Sequence, residues 1–284
     1  MLLRLLTDFR RAMDLSLVLD EEGIAHEVRS VSDTQWALFA EDAAAERAEK
    51  ALQAFERENP LSPSPGAPEE LLSDAGTFAG GLFGLALIAL QLWTGPQSAA
   101  SAWFERGSAD ASAIVRGEWW RTVTALTLHA DEGHAAGNAI LGGLLLAILA
   151  RRLGTGLACW IPLLAGTLGT LCAAELLRRN FVSVGASTAV FGALGALSAL
   201  QAADPRGRRG AWISLGAGVA LLGFLGTSGR ADLAGHLCGF VAGVLLGLAA
   251  SRLPRVRPAA AQAALGLAAA LVPVLAWLRA FLVI

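Results

Sequence analysis

Seven stretches of this 284-residue chain are apolar for long enough to cross a bilayer, and that restricts its architecture more than any other feature. A spanning helix needs about 20 apolar residues, because the hydrocarbon core is about 30 Å thick and a helix rises about 1.5 Å per residue. Such runs lie near residues 77–94, 134–150, 155–177, 184–201, 211–227, 231–250 and 259–283. Composition agrees: 55% of residues are hydrophobic and 16% are charged, which is too apolar for a soluble domain. The expected fold is an all-α polytopic membrane bundle with the lipid bilayer as its first partner.

Residues 1–59 follow a different pattern and hold most of the carboxylates. They read as a small soluble α+β unit: a helix over residues 8–22 ended by Gly23, strands over 26–31 and 35–39, and a charged amphipathic helix over 41–58. His26 reads as a surface strand residue and not as a ligand. Residues 60–76 form a Pro-rich linker, with N-P-L-S-P-S-P-G-A-P at its start. The unit is expected to be either a folded spacer or a docking site for a cytosolic partner. The membrane part divides into a six-helix core, residues 77–250, and a tail, 251–284, that carries the extra seventh helix.

Charge between the runs sets the orientation. The connections after the second, fourth and sixth runs carry Arg151 and Arg152, then Arg206, Arg208 and Arg209, then Arg252, Arg255 and Arg257. The positive-inside rule places these loops and the N-terminal unit in the cytoplasm, although Arg178, Arg179 and Arg230 fall on the other side. The Arg-rich, Lys-poor composition points to a bacterial inner membrane. The outer loop over residues 95–133 contains Trp103, Phe104, Trp119 and Trp120 and reads first as an amphipathic segment lying on the bilayer, the alternative being a structured lid or brace beside a site. Asp8, Arg10 and Arg11 follow the apolar start too closely for a signal-peptide core. Cys159, Cys172 and Cys238 are dispersed through apolar runs and read as packing residues. No metal, nucleotide or nucleic-acid motif occurs, so neither a cofactor nor a nucleic-acid partner is expected.

Helices alternate in direction, so the second, fourth and sixth runs all begin at the same outer face. His134 and Asn138 open the second, Ser187 the fourth and His236 the sixth. A residue three to five positions into a helix lies about 5–8 Å below its end. Four polar groups therefore share one shallow layer, and polar groups at that depth are costly enough to be functional candidates. Gly235, Gly239, Gly243 and Gly247 recur every four residues and strip one face of the sixth helix to its backbone. Phe191 and Gly195 continue a matching stripe below Ser187. Close approach of the two helices brings the Ser187 hydroxyl within reach of the His236 ring.

A hydroxyl is a weak nucleophile until a neutral imidazole accepts its proton, and the same imidazole can then protonate a leaving amine. The tetrahedral oxyanion needs donors, for which the Asn138 amide, the His134 imidazole and the Ser187 backbone N–H are candidates. Asp232, one turn before His236, reads as a helix cap and not as a third member of a triad.

These motifs, in this order, resemble the rhomboid family of intramembrane serine proteases. The resemblance covers roughly residues 77–250 and rests on W-R (Trp120, Arg121), H-x-x-x-N (His134, Asn138), G-A-S followed by A-V-F-G (Gly185, Ser187, Phe191), and H-x-x-G-x-x-x-G (His236, Gly239, Gly243). It implies a Ser187/His236 dyad, an oxyanion hole using Asn138 and His134, and Phe191 packed against His236. It also implies hydrolysis of a peptide bond in or near the transmembrane helix of a protein substrate. One position departs from the family pattern: Thr188 stands where the serine is normally followed by Gly. Thr188 is β-branched and has a hydroxyl that can bond back to the Val184 carbonyl, so it can narrow the substrate pocket, retune it or silence it. The alternative is a non-catalytic rhomboid-like protein that binds or chaperones transmembrane clients, with Ser187 merely packed.

Overall fold

The computed structural model describes the chain apart from residues 8, 33–34, 60–73, 100, 178–181, 205–209, 211, 214, 217, 219, 221–231, 254–257 and 283–284. Most of the linker, most of the fifth apolar run and most of the basic connections after the fourth and sixth runs lie outside the described residues. The chain divides into two compact units, Met1–Pro68 and Glu69–Ile284.

In the first unit a three-stranded antiparallel sheet of order β1-β3-β2 carries two helices: β1 (Leu2–Leu6), α1 (Phe9–Glu21), β2 (His26–Ser32), β3 (Gln35–Ala40) and α2 (Ala45–Glu58). Leu15 and Leu19 of α1, Leu38 of β3, and Ala48 and Leu52 of α2 close the core. Strand β1 has no polar alternation to announce it, since L-L-R-L-L is apolar on both faces; pairing with β3 defines it. Arg4 of β1 projects to α2 and bonds the carboxylates of Glu49 (2.8 and 2.9 Å) and Glu56 (3.0 Å). His26 departs from the surface reading: its side chain is 8% exposed, with Nε2 2.5 Å from the Ser16 hydroxyl and Nδ1 2.9 Å from the Ile24 carbonyl. Those two polar partners in the fold draw the ring inward.

The second unit is an integral, multi-pass helical bundle. Its long helices are α3 (Asp74–Thr94), α7 (Glu132–Leu153), α8 (Thr155–Leu177), α10 (Leu233–Ser251) and α11 (Ala259–Leu282). All five are long and apolar enough to cross a membrane. A sixth, α9 (Ser187–Ala202), has 16 residues and is buried from Ser187 to Leu200. It runs up the middle of the unit, against α7, α8 and α10.

Small residues set the spacing of these helices. A methyl group on Gly243 of α10 would overlap the Gly192 carbonyl of α9, and one on Gly239 would overlap the Thr188 carbonyl. Gly80 of α3 and Gly143 of α7 meet in the same way, each facing the other's backbone. With no hydrophobic drive between helices in lipid, such backbone contact is what holds them together. At the end remote from Ser187, Leu146, Leu149, Ile161, Leu197 and Leu200 fill the space that the glycines leave. The three cysteines form no disulfide, and Cys172 and Cys238 bring their sulfurs to 2.9 Å across α8 and α10.

The loop between α3 and α7 is folded. It contains α4 (Ala102–Gly107), β4 (Ala109–Asp110), α5 (Ala111–Val115) and α6 (Arg121–Thr124). Strand β4 pairs with β5 (Val182–Ser183), just ahead of α9. Two of the loop's charged side chains are used within it. Arg121 donates to the Glu118 carboxylate at 2.7 Å and to the Glu105 and Ser108 carbonyls at 3.0 Å, and Asp110 caps α5 through Ala113 N–H at 3.0 Å. The seventh helix, α11, is fastened at both ends. Gln262 Oε1 accepts the Gly156 N–H at 2.7 Å near one end, and Trp277 Nε1 bonds Thr127 Oγ1 at 3.0 Å near the other.

Candidate active site

Ser187 is the first residue of α9, so the helix starts three residues later than the apolar run. The cause is Gly185, whose φ of +128° is incompatible with helix and whose N–H bonds the Ala125 carbonyl at 2.9 Å. A side chain there would be strained, and its first carbon would sit 2.6 Å from His134 Cε1. Gly185 is thus required by conformation and by space together.

His236 lies in the first turn of α10, which opens on Asp232; the carboxylate of Asp232 accepts the Gly235 N–H at 2.7 Å. Asp232 is a cap, as its position implies, and it is not bonded to the imidazole. Across the glycine seam, Ser187 Oγ and His236 Nε2 are 2.6 Å apart, with both residues buried. Phe191, one turn below Ser187 and fully buried, stacks on the His236 ring at 4.7 Å and 22° between planes. His236 Nδ1 has no protein partner among the described residues. The imidazole is therefore oriented by a ring face and not by a carboxylate.

Of the candidate donors, Ser187 N–H heads a helix and so has no intrahelical acceptor. Asn138 is 6% exposed and lies one turn along α7 from His134, with its amide nitrogen unpartnered among the described residues. His134 stands against Gly185. Trp120 and Arg121 are placed elsewhere: Trp120 packs with Val123, Ala276 and Ala280, and Arg121 ties the outer loop together. Gly239 and Gly243 are seam residues, as described above.

Thr188 lies at a helix junction. Its methyl group points into the junction of α8, α9 and α10, where added methyl groups on Gly169 and Gly239 would lie 2.8 and 2.9 Å from it. No hydrogen bond joins its hydroxyl to Val184 among the described residues. Gly169 of α8 provides the room that a β-branched residue needs at this position.

Two residues of this layer escape sequence reasoning. His129 is fully buried, its Nε2 accepts the Ala186 N–H at 3.3 Å, and its ring meets His134 edge-on at 5.2 Å. Burial, with the neighbouring His134 as a second cause, holds its pKa down at about 4, so the ring is neutral and free to accept. Its only sequence signal is its place five residues before His134, outside any apolar run. Gln91 of α3 is 3% exposed, one turn beyond Leu87, which packs against Ala186. Its signal is that it is a lone amide in an otherwise apolar run.

Comparison with known proteins gives one family and two relatives. Residues 116–253 match the family described as Rhomboid domain. The chain is 31% identical over 154 residues to the protein named Rhomboid protease GluP of Bacillus subtilis (strain 168), covering 52% of this chain and 29% of that one. It is 33% identical over 82 residues to Putative rhomboid protease YdcA of the same organism, covering 29% of this chain and 41% of the relative. The matched region spans less than half the length of either relative.

Proposed function

We propose that this chain, whose residues 116–253 match the Rhomboid domain family, is an intramembrane serine endopeptidase cutting membrane proteins in or near a transmembrane helix. The observation that carries this reading is the 2.6 Å contact between Ser187 Oγ and His236 Nε2, buried at the head of two touching helices. A hydroxyl and an imidazole at that distance can pass a proton.

In this reading His236 is neutral with its proton on Nδ1, and Nε2 takes the hydroxyl proton as Oγ attacks the scissile carbonyl. The oxyanion is met by the Ser187 N–H, the Asn138 amide and His134, groups already oriented before substrate arrives. The imidazolium then gives its Nε2 proton to the leaving amine, and the acyl group stays on Ser187. Water, deprotonated by the same nitrogen, releases it. Phe191 keeps the ring in plane during both transfers, and no cofactor takes part.

The N-terminal unit, a linker, the six-helix core and the added seventh helix form the proposed division of labour. The arginine-bearing end of the bundle and the N-terminal unit face the cytoplasm, and the Ser187 end opens to the periplasmic side of a bacterial inner membrane. The acidic N-terminal unit serves a cytosolic partner.

The test is cleavage of a model single-span substrate by the purified full chain in detergent. Wild type cuts, whereas Ser187→Ala and His236→Ala lose at least about 10³-fold in turnover. Client levels that change equally with wild type and Ser187→Ala, without cleavage, would replace this reading with the non-catalytic one.

A further inference from the structure

At the end of the bundle remote from Ser187, a cavity of about 370 Å³ opens between α7, α8, α9 and α10. Its inner wall is apolar, made by Leu157, Leu200 and Ala250, and its rim is polar, with Arg151, Arg152 and Ser251. The volume falls within the roughly 300–1,000 Å³ of small-ligand sites. Both arginines are half-buried, and neither forms an ion pair or side-chain hydrogen bond with another described residue. Two adjacent, partly desolvated guanidinium groups without an acceptor call for an anion. They sit in the last turn of a 22-residue helix, about 33 Å long, which puts them at headgroup depth.

We propose that this cavity binds a phosphate group, held in a fork by Arg151 and Arg152, with the apolar wall accepting the glycerol and first methylenes of an anionic phospholipid. Guanidinium matches phosphate oxygens two at a time, and basic pockets between membrane helices are suited to such headgroups. Asp204 also lines the cavity. The carbonyl ends of α7 and α10 favour cations, so the arginine pair, and not the helix ends, is the source of anion affinity.

The experiment is native mass spectrometry and thermal melting of the delipidated full chain in neutral detergent. The additions are phosphatidylglycerol, phosphatidylcholine or millimolar inorganic phosphate. Phosphatidylglycerol is retained and raises Tm in wild type. Arg151→Gln/Arg152→Gln weakens its binding by at least about tenfold, the worth of lost charged hydrogen bonds. Arg151→Lys/Arg152→Lys, which keeps charge but loses the fork, is intermediate and controls for misfolding. If inorganic phosphate alone gives the shift and displaces the lipid, the site stands and its ligand is a soluble phosphate. Retention of phosphatidylcholine as tightly as phosphatidylglycerol, or an unchanged affinity in the double Gln variant, overturns the proposal.

Discussion

The indole N–H of Trp277, on the added seventh helix, reaches the hydroxyl of Thr127 at 3.0 Å, two residues before the histidine that bonds the backbone beside Ser187. Trp277 also fills the space over Gly107 and takes the edge of Trp103 at 4.9 Å. The helix outside the shared core is therefore joined, through the folded loop, to the head of α9.

That connection predicts graded effects. Trp277→Phe keeps a ring and loses a donor, and the loss of about 1 kcal/mol of hydrogen bonding translates into a few-fold fall in turnover. Trp277→Ala opens a large cavity at a cost of about 3–5 kcal/mol and lowers Tm by several degrees. Both are read by cleavage of a single-span substrate beside a melting curve. Full activity in a stable Trp277→Ala protein would cut the link between this helix and the site.

Gly185 is predicted to tolerate no side chain. With φ at +128° and His134 2.6 Å from a first side-chain carbon, Gly185→Ala must move the loop, His134 or both. The expected result is loss of activity by about 10²-fold or more, since a misplacement of about 1 Å at a reacting group has that effect. Kinetics on folded, monodisperse Gly185→Ala protein decide the matter.

Thr188 is predicted to act by packing. Thr188→Val keeps the methyl between Gly169 and Gly239 and retains activity within about threefold, as a near-isosteric change at a position without a hydrogen bond to Val184 should. Thr188→Gly empties that space and adds backbone freedom, costing about 1–2 kcal/mol of stability. A Thr188→Gly protein that is as stable as wild type and much faster would instead make Thr188 a brake on the substrate pocket.

The site loop is predicted to loosen in mild acid. His129 has its folded pKa depressed to about 4, while an unfolded histidine titrates near 6.5. Between those values the unfolded chain binds more protons than the folded one, so stability rises with pH across the window. The contribution is complete above about pH 6.5 and is lost as pH falls towards 4, with Asp131 opposing and His134 reinforcing the effect. His129→Gln, which keeps an acceptor but does not titrate, should flatten that part of the pH–Tm curve; an unchanged curve would show that another group controls it.

The parts of this arrangement that are legible in the sequence are those with a period. Seven apolar runs announce a bundle, and a glycine every fourth residue announces the face on which α10 meets α9, which brings Ser187 and His236 together. The residues that resist reading are held by partners far away in the chain. Trp103 and Arg121 look like an interfacial loop until Trp277, Glu105 and Ser108 are seen to occupy them. His129 bonds a backbone N–H 57 residues away, which no local pattern reports. The start of α9 is misplaced because Val184 and Ala186 are apolar enough to continue a run that Gly185 interrupts by conformation alone.

The shortness of α9 has a consequence for the surrounding lipid. Sixteen residues rise about 24 Å, roughly 6 Å less than the hydrocarbon thickness, so α9 by itself does not reach across it. Because α9 is buried from Ser187 to Leu200 against α7, α8 and α10, that shortfall is bounded by protein and not by annular lipid. A short helix in the middle of the bundle therefore imposes no hydrophobic mismatch on the bilayer, which the longer helices around it face instead.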